Sequence, residues 1–349
     1  MNAKKITTSH MVVGFFLFLS FFACQDAGAS LVKAKVVFKI DLSSKAKDKE
    51  AKLWLPYPVS DNYQLVSDIR VSGTFEARGV YTDRRYKTPV LYLYWSPHTR
   101  YKIASFSFDV ERAERKERAD SAGKGEGCVD RQFFKLFLQA TRLAPVDPRL
   151  QVLAKKITKA RTDVFSKAKA IYDWVTMHMR RNPKVNGCGN GDVCMLLNTL
   201  SGKCADIHSV FVALLKASGI PAREVFGLRL SKDQSADITT WQHCWAEFYL
   251  PGYGWFVSDP GDYLKALLVK GLDPQSDRAR KLHGYFFGTI DPYRVRLSIG
   301  RDIELNPKAS GSPLNYLMYP YAEIEGLPID YLSPREFSYR ILQEAPDGE

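Results

Sequence analysis

The chain has 349 residues, a formal net charge of +12 and 45% hydrophobic residues, enough for about two domains with real cores. The basic balance suits work near anionic polymers or a membrane surface. No zinc-finger spacing or recognition helix occurs, so nucleic acid is not the expected partner.

Residues 1–29 read as a signal peptide. Lys4 and Lys5 form a positive end, Met11 to Phe22 an apolar run, and Ala27-Gly28-Ala29 a small-residue cleavage site. The run is short for a membrane span. The mature chain is therefore expected to carry no integral span and to be periplasmic or otherwise exported. A short membrane anchor is one alternative. A lipoprotein anchor through Phe21-Phe22-Ala23-Cys24 is another, although the two phenylalanines depart from the usual lipobox.

Residues 33–42 alternate, with Ala34, Val36, Phe38 and Ile40 on one side, as a half-buried strand does. Further strands are predicted at 51–58, 63–71, 90–95 and 102–110. Residues 30–117 thus form an N-terminal antiparallel β domain, a packing or substrate-positioning module. Residues 118–130 are charged, then Gly- and Ser-rich, and read as a linker. The core is assigned to 131–304, with 305–349 as a C-terminal extension.

In the core, Asp147-Pro148 opens a helix with Leu150, Leu153, Ala154 and Ile157 on one face, and a second helix spans 163–179. The lysines on their other faces are expected to be a solvated surface. The Gly-rich run 186–192 lacks the Gly-Lys-Ser/Thr ending of a phosphate loop and reads as a tight turn before a short helix at 193–200. After Cys204, the residues Ile207, Val210, Phe211, Leu214 and Leu215 recur at helical steps. Strands follow at 221–230, 241–250 and 255–259. Helices followed by antiparallel strands make an α+β layout. Residues 285–304 and 337–343 read as further strands, and 307–320 as loop.

Cys204 stands at the first turn of its helix, where unpaired N–H groups and the positive dipole end favour a thiolate. His243, in Gln242-His243-Cys244-Trp245, and Asp259, in Trp255 to Pro260, follow at the edges of regular elements. These stretches, with Gly202-Lys203-Cys204-Ala205-Asp206-Ile207-His208-Ser209 and Gly219-Ile220-Pro221-Ala222-Arg223-Glu224-Val225, resemble the bacterial transglutaminase-like superfamily. The resemblance is firm from about Pro145 to Asp262.

It implies an α+β fold with a papain-like transglutaminase core, helices packed on an antiparallel sheet. It also implies a catalytic triad of Cys204, His243 and Asp259. His243 would take the thiol proton, the thiolate would attack a peptide or carboxamide carbonyl, and Asp259 would hold the imidazole. The Cys204 N–H is one candidate oxyanion donor. The expected partner is a peptide or protein substrate, the cell envelope being one source. Neither cofactor nor metal is expected. The alternative readings are a non-catalytic peptide- or cell-wall-binding module on the same fold and a scaffold within an envelope complex.

Several neighbours carry their own expectations. Asp262 is a rival to Asp259, but lies beyond the strand end. His208, one turn after Cys204, could mimic the base; a hydrogen-bonded structural role is expected, with Asp206 stabilising the helix start. Strand alternation turns Cys244 away from His243, as an inert packed thiol. Trp245 either shields the ion pair or is a core aromatic, and Glu247 and Arg223 are read as structural. Without Cys24, five of the six cysteines remain. One catalytic thiol and two bridges would use them all, Cys188–Cys194 and Cys128–Cys244 being one pairing among those the sequence leaves open. A zinc set of Cys188, Cys194, Cys204 and His208 has spacing unlike paired knuckles.

Overall fold

Every residue from Cys204 to Leu215 in the helix Cys204–Ala217 is buried. The periodicity predicts one apolar face; the structure encloses all of them, as a helix at the centre of a domain requires. A four-stranded antiparallel sheet covers one side, in the order Gly254–Ser258, Gln242–Leu250, Ala222–Arg229 and Arg294–Ile299. The helices Pro148–Thr158, Val164–His178 and Pro260–Lys270 cover the rest. Phe211, Leu214, Phe248 and Phe256 lie in the shared core. This computed structural model describes residues 31–117 and 131–346. The expected signal peptide, the linker, Cys24 and Cys128 lie outside the described residues.

The register of the sheet fixes where His243 sits. His243 pairs with Gly227, beside an irregularity in the pairing of Ala222–Arg229 with Arg294–Ile299. A Cβ at Gly227 would lie 1.8 Å from the Val295 carbonyl oxygen. Only glycine lets the strands approach this closely.

The N-terminal strands form two five-stranded antiparallel sheets. One runs Ala236–Asp237, Ser338–Glu344, Leu31–Asp41, Ile103–Ala113, Gln64–Gly73. The other runs Leu327–Pro328, Tyr321–Ile324, Ala51–Pro56, Pro89–Trp95, Ala77–Thr82. Their inner faces meet through Phe38, Phe106, Leu93 and Trp95, following the alternation visible in the sequence. Strands from the end of the chain are built into both sheets. Residues between them are thereby carried across the start of the Cys204 helix.

The layout is α+β as expected, with two local differences. Residues 260–285 are largely helical, Pro260–Lys270 and Asp277–Tyr285. Asp259 caps the first of these by accepting from the Asp262 N–H, with Pro260 in the opening turn. Asp-Pro is a helix-start signal as well as a strand-end signal. Of the strand predicted at 285–304 only Arg294–Ile299 forms in that stretch beyond the two-residue Thr289–Ile290. Among the described residues, no helix is long and apolar enough to cross a membrane.

Candidate active site

Cys204 is the first residue of its helix and is 3% exposed. Asp206 ties down the helix start, accepting from the Lys203 N–H at 2.9 Å and the Gly191 N–H at 2.8 Å. The Ala205 N–H donates to the Cys188 carbonyl at 2.9 Å. The Cys204 N–H has no acceptor among the described residues, as befits a donor in the first turn of a helix.

The structure brings the three predicted residues together. His243 lies close enough to the Cys204 sulfur to help lower its thiol. Its Nε2 lies 2.7 Å from Asp259 Oδ2, which leaves Nδ1 for the sulfur. The Cys204 thiol is held well below its usual range, first by a hydrogen bond from Cys188, then by one from Cys244, with His243 adding to both against the cost of burial. Burial also opposes the His243 cation, but the Asp262 and Asp259 carboxylates outweigh it and raise that histidine. Both directions favour a thiolate–imidazolium pair. Asp259 stays ionised, lowered to about 2; burial and Asp262 oppose this, but His243 and a hydrogen bond from His208 prevail.

Asp262 stands second to Asp259 at the imidazole. Its Oδ2 is 3.7 Å from His243 Nε2. Arg229 binds both its oxygens, at 2.6 and 2.7 Å, and Arg294 adds another contact. Asp262 therefore acts on His243 through its charge. His243, Asp259 and Asp262 offer ligand atoms within 4.8 Å of one another. Two guanidinium groups already hold one carboxylate and two imidazoles the other, so the surroundings oppose a metal cation.

His208 belongs to the same network. Its Nδ1 is 2.6 Å from the Cys204 carbonyl oxygen and its Nε2 is 3.1 Å from Asp259 Oδ1. Both ring nitrogens therefore face acceptor oxygens. The sequence placed His208 in a hydrogen-bonded role without revealing that its partner is Asp259, which only the folded chain brings near.

The cysteines depart from expectation. Cys188, Cys194, Cys204 and Cys244 are all free thiols, so Cys188 does not pair with Cys194. Cys194 lies instead by Asp147, with 3.5 Å between Sγ and Oδ2, which also separates it from the suggested zinc set. Cys244 is packed, as expected, but it faces the Cys204 helix and reaches the site. Its Sγ is 3.4 Å from His208 Nδ1, and it packs in one cluster with Cys204. Both thiols beside Cys204 are raised well above their usual range, Cys188 by its bond to Cys204 and then by burial, Cys244 by burial and then by Cys204. They therefore stay protonated, and the Cys188 thiol donates to the Gln242 carbonyl oxygen at 3.5 Å.

Cys188 is the site residue that sequence reasoning missed; the one signal for it was the surrounding glycine-rich run. Gly189 has φ +88, and a Cβ there would lie 2.0 Å from Asp206 Oδ2. The turn must press on the helix start, which places Cys188 against Cys204. Arg301 locks this arrangement from beneath. It is 1% exposed, bonds Glu224 at 2.8 Å and reaches the carbonyls of Asn190 and Ala205 at 3.0 and 3.2 Å.

Of the remaining residues, Trp245 packs with Val225, Val257 and Ile290 as a core aromatic. Glu247 binds Arg115 at 2.7 Å and Arg223 at 2.6 Å. Arg223 also stacks on Trp255, 3.9 Å from the ring centroid.

Residues 151–260 match the model of the transglutaminase-like superfamily. An uncharacterized protein of Haemophilus influenzae is 32% identical over 321 residues, covering 84% of this chain and 86% of the relative. The uncharacterized protein YebA of Bacillus subtilis is 29% identical over 126 residues, which are 32% of this chain and 17% of that protein. A crystal structure from Cytophaga hutchinsonii, described as a candidate cysteine protease, superposes with a TM-score of 0.56 at 17% identity, covering 92% of each chain. That likeness is one of fold.

Proposed function

The chain belongs to the transglutaminase-like superfamily, and on that premise we propose that it is an exported thiol enzyme, using a Cys204 thioester for acyl transfer or hydrolysis on peptide or carboxamide carbonyls. The observation that carries this reading is His243 standing between the Cys204 sulfur and the Asp259 carboxylate. Export rests on the Lys4-Lys5 end, the apolar run and the small-residue site of residues 1–29.

The Cys204 thiolate attacks the carbonyl carbon, forming the S–C bond. The carbonyl oxygen gains the negative charge, and the free Cys204 N–H donates to it. His243, protonated, gives its proton to the departing amine as the C–N bond breaks. Asp259 holds the ring in place and stabilises its charged form. Water or a second amine then attacks the thioester, His243 takes the incoming proton, and the thiolate leaves. Water gives the carboxylic acid; an amine gives a new amide.

The test is to incubate the mature protein with envelope peptides and peptidoglycan fragments and look by mass spectrometry for an acyl adduct on Cys204. The adduct should vanish in Cys204→Ala and fall by orders of magnitude in His243→Ala. A companion measurement is iodoacetamide alkylation of Cys204 against pH. A thiol that reacts only near its free pKa of about 8.5, with or without His243, would overturn the enzymatic reading in favour of a binding module.

A further inference from the structure

We infer that the cavity beside Cys204 is the subsite that selects the acyl donor, and that it takes a bulky uncharged side chain, aromatic above all, while excluding a cationic one. This rests on the thiol-enzyme reading above and names its substrate class.

The cavity holds about 340 Å³, room for the largest amino-acid side chains. It begins at the site itself. Lys203 immediately precedes Cys204 and Gln242 immediately precedes His243, and both line it. Its far wall comes from the end of the chain: Tyr319, Tyr331, Phe337 and Tyr339. Tyr319 and Tyr331 stack with centroids 4.8 Å apart at 23°, and Phe337 meets Tyr339 edge-on at 5.1 Å and 64°. Tyr319 touches both regions, since its hydroxyl donates to Cys188 Sγ at 3.4 Å, and Cys188, which donates to the Gln242 carbonyl at 3.5 Å, packs in one cluster with Cys204. The wall therefore reaches the cluster that holds the reacting sulfur.

The lining decides the chemistry. Paired aromatic rings offer edges and faces to another ring, an attraction beyond area burial alone. Among the described residues no aspartate or glutamate lines the cavity, and the one charged lining residue is Lys203. A substrate lysine or arginine would lose its hydration there, meet no counter-charge and face a like charge.

The sequence could not disclose this subsite. Residues 319–339 are far from Cys204 along the chain. They reach it because Tyr321–Ile324 and Ser338–Glu344 pair into the N-terminal sheets on either side.

The experiment uses chloromethyl ketone probes built on single N-acylated residues: Phe, Leu, Ala and Lys. In each, the Cys204 thiolate forms an S–C bond and displaces chloride, which leaves with the bonding electrons. The rate of adduct formation on Cys204 is read by mass spectrometry. The Phe probe should react at least tenfold faster than Ala, with Leu close to Phe and Lys slowest. In Tyr331→Ala, with folding checked by its thermal melt, the Phe-to-Ala rate ratio within that protein should fall toward one. Equal rates for all four probes, or a Lys probe faster than Phe, would overturn the subsite. So would a ratio unmoved in both Tyr331→Ala and Tyr339→Ala. Iodoacetamide separates this failure from the other. If it alkylates Cys204 as a thiolate well below pH 8 while the ketones show no preference, the subsite fails and the thiol enzyme stands. If Cys204 behaves as an ordinary thiol, the enzymatic reading itself fails.

Discussion

His208 Nε2 lies 3.1 Å from Asp259 Oδ1, on the other oxygen from the one that meets His243 at 2.7 Å. One carboxylate thus spans two imidazoles, and His208 is anchored in turn on the Cys204 carbonyl. The carboxylate that orients His243 is itself held by a ring from the nucleophile's own helix. His208→Asn should leave Asp259 freer to turn. A hydrogen bond to a charged group is worth about 1.5–3 kcal/mol, so Cys204 alkylation by iodoacetamide at pH 6 should slow by roughly tenfold or more. The pH at which the thiolate appears should also rise. An unchanged pH profile in a folded His208→Asn protein would show His208 to be packing alone.

Cys188 makes the hydrogen bond that contributes most to lowering the Cys204 thiol. Cys188→Ala removes that donor. Losing it raises the Cys204 pKa, so the alkaline rise in alkylation should move up by about one unit or more, one unit being about 1.36 kcal/mol. Cys188→Ser keeps a donor and should restore most of the shift. Equal profiles for the alanine and serine variants would sink the assignment.

The Asp262 charge does most to hold the His243 imidazolium against burial. In Asp262→Asn, His243 should lose its proton at lower pH. The ion pair exists above the Cys204 pKa and below that of His243, so its upper limit should shift downward while the lower one moves little. The substitution also strips the carboxylate from Arg229 and Arg294. Breaking such a buried pair costs on the order of 3–5 kcal/mol, and a thermal melt should register it separately from the pH profile.

Glu247, 2% exposed, lies between Arg115 and Arg223. Burial opposes its charge, but Arg223 and then Arg115 lower it to about 2. Its folded value is depressed, so its contribution to stability is present above the unfolded value of about 4.3. That contribution is lost as pH falls toward about 2. Glu247→Gln should cost on the order of 3–5 kcal/mol at pH 7, and the loss should shrink steadily below pH 4. Urea unfolding at pH 7 and pH 3 measures both; an equal loss at the two values would contradict the linkage.

Much of the site was legible because its signals are local. Cys204 follows a polar Gly-Lys approach and precedes an apolar helical pattern, and a helix start favours a thiolate wherever it occurs. His243 sits on a strand whose residues declare themselves, and Asp259 closes the next. Asp259 as the helix cap and Asp262 in the turn beyond it were harder, since Asp-Pro marks a strand end and a helix start alike.

By itself the sequence determined the α+β layout, the helix that carries Cys204 and the order of Cys204, His243 and Asp259. These follow from periodicity, capping and turn chemistry, which act over a few residues. The tertiary structure alone decided that Cys188 and Cys244 pack beside Cys204, that His208 shares Asp259 with His243, and that residues 319–339 wall the cavity. Each of those contacts joins segments whose separation along the chain sets no distance in space, and packing around the buried helix chose it.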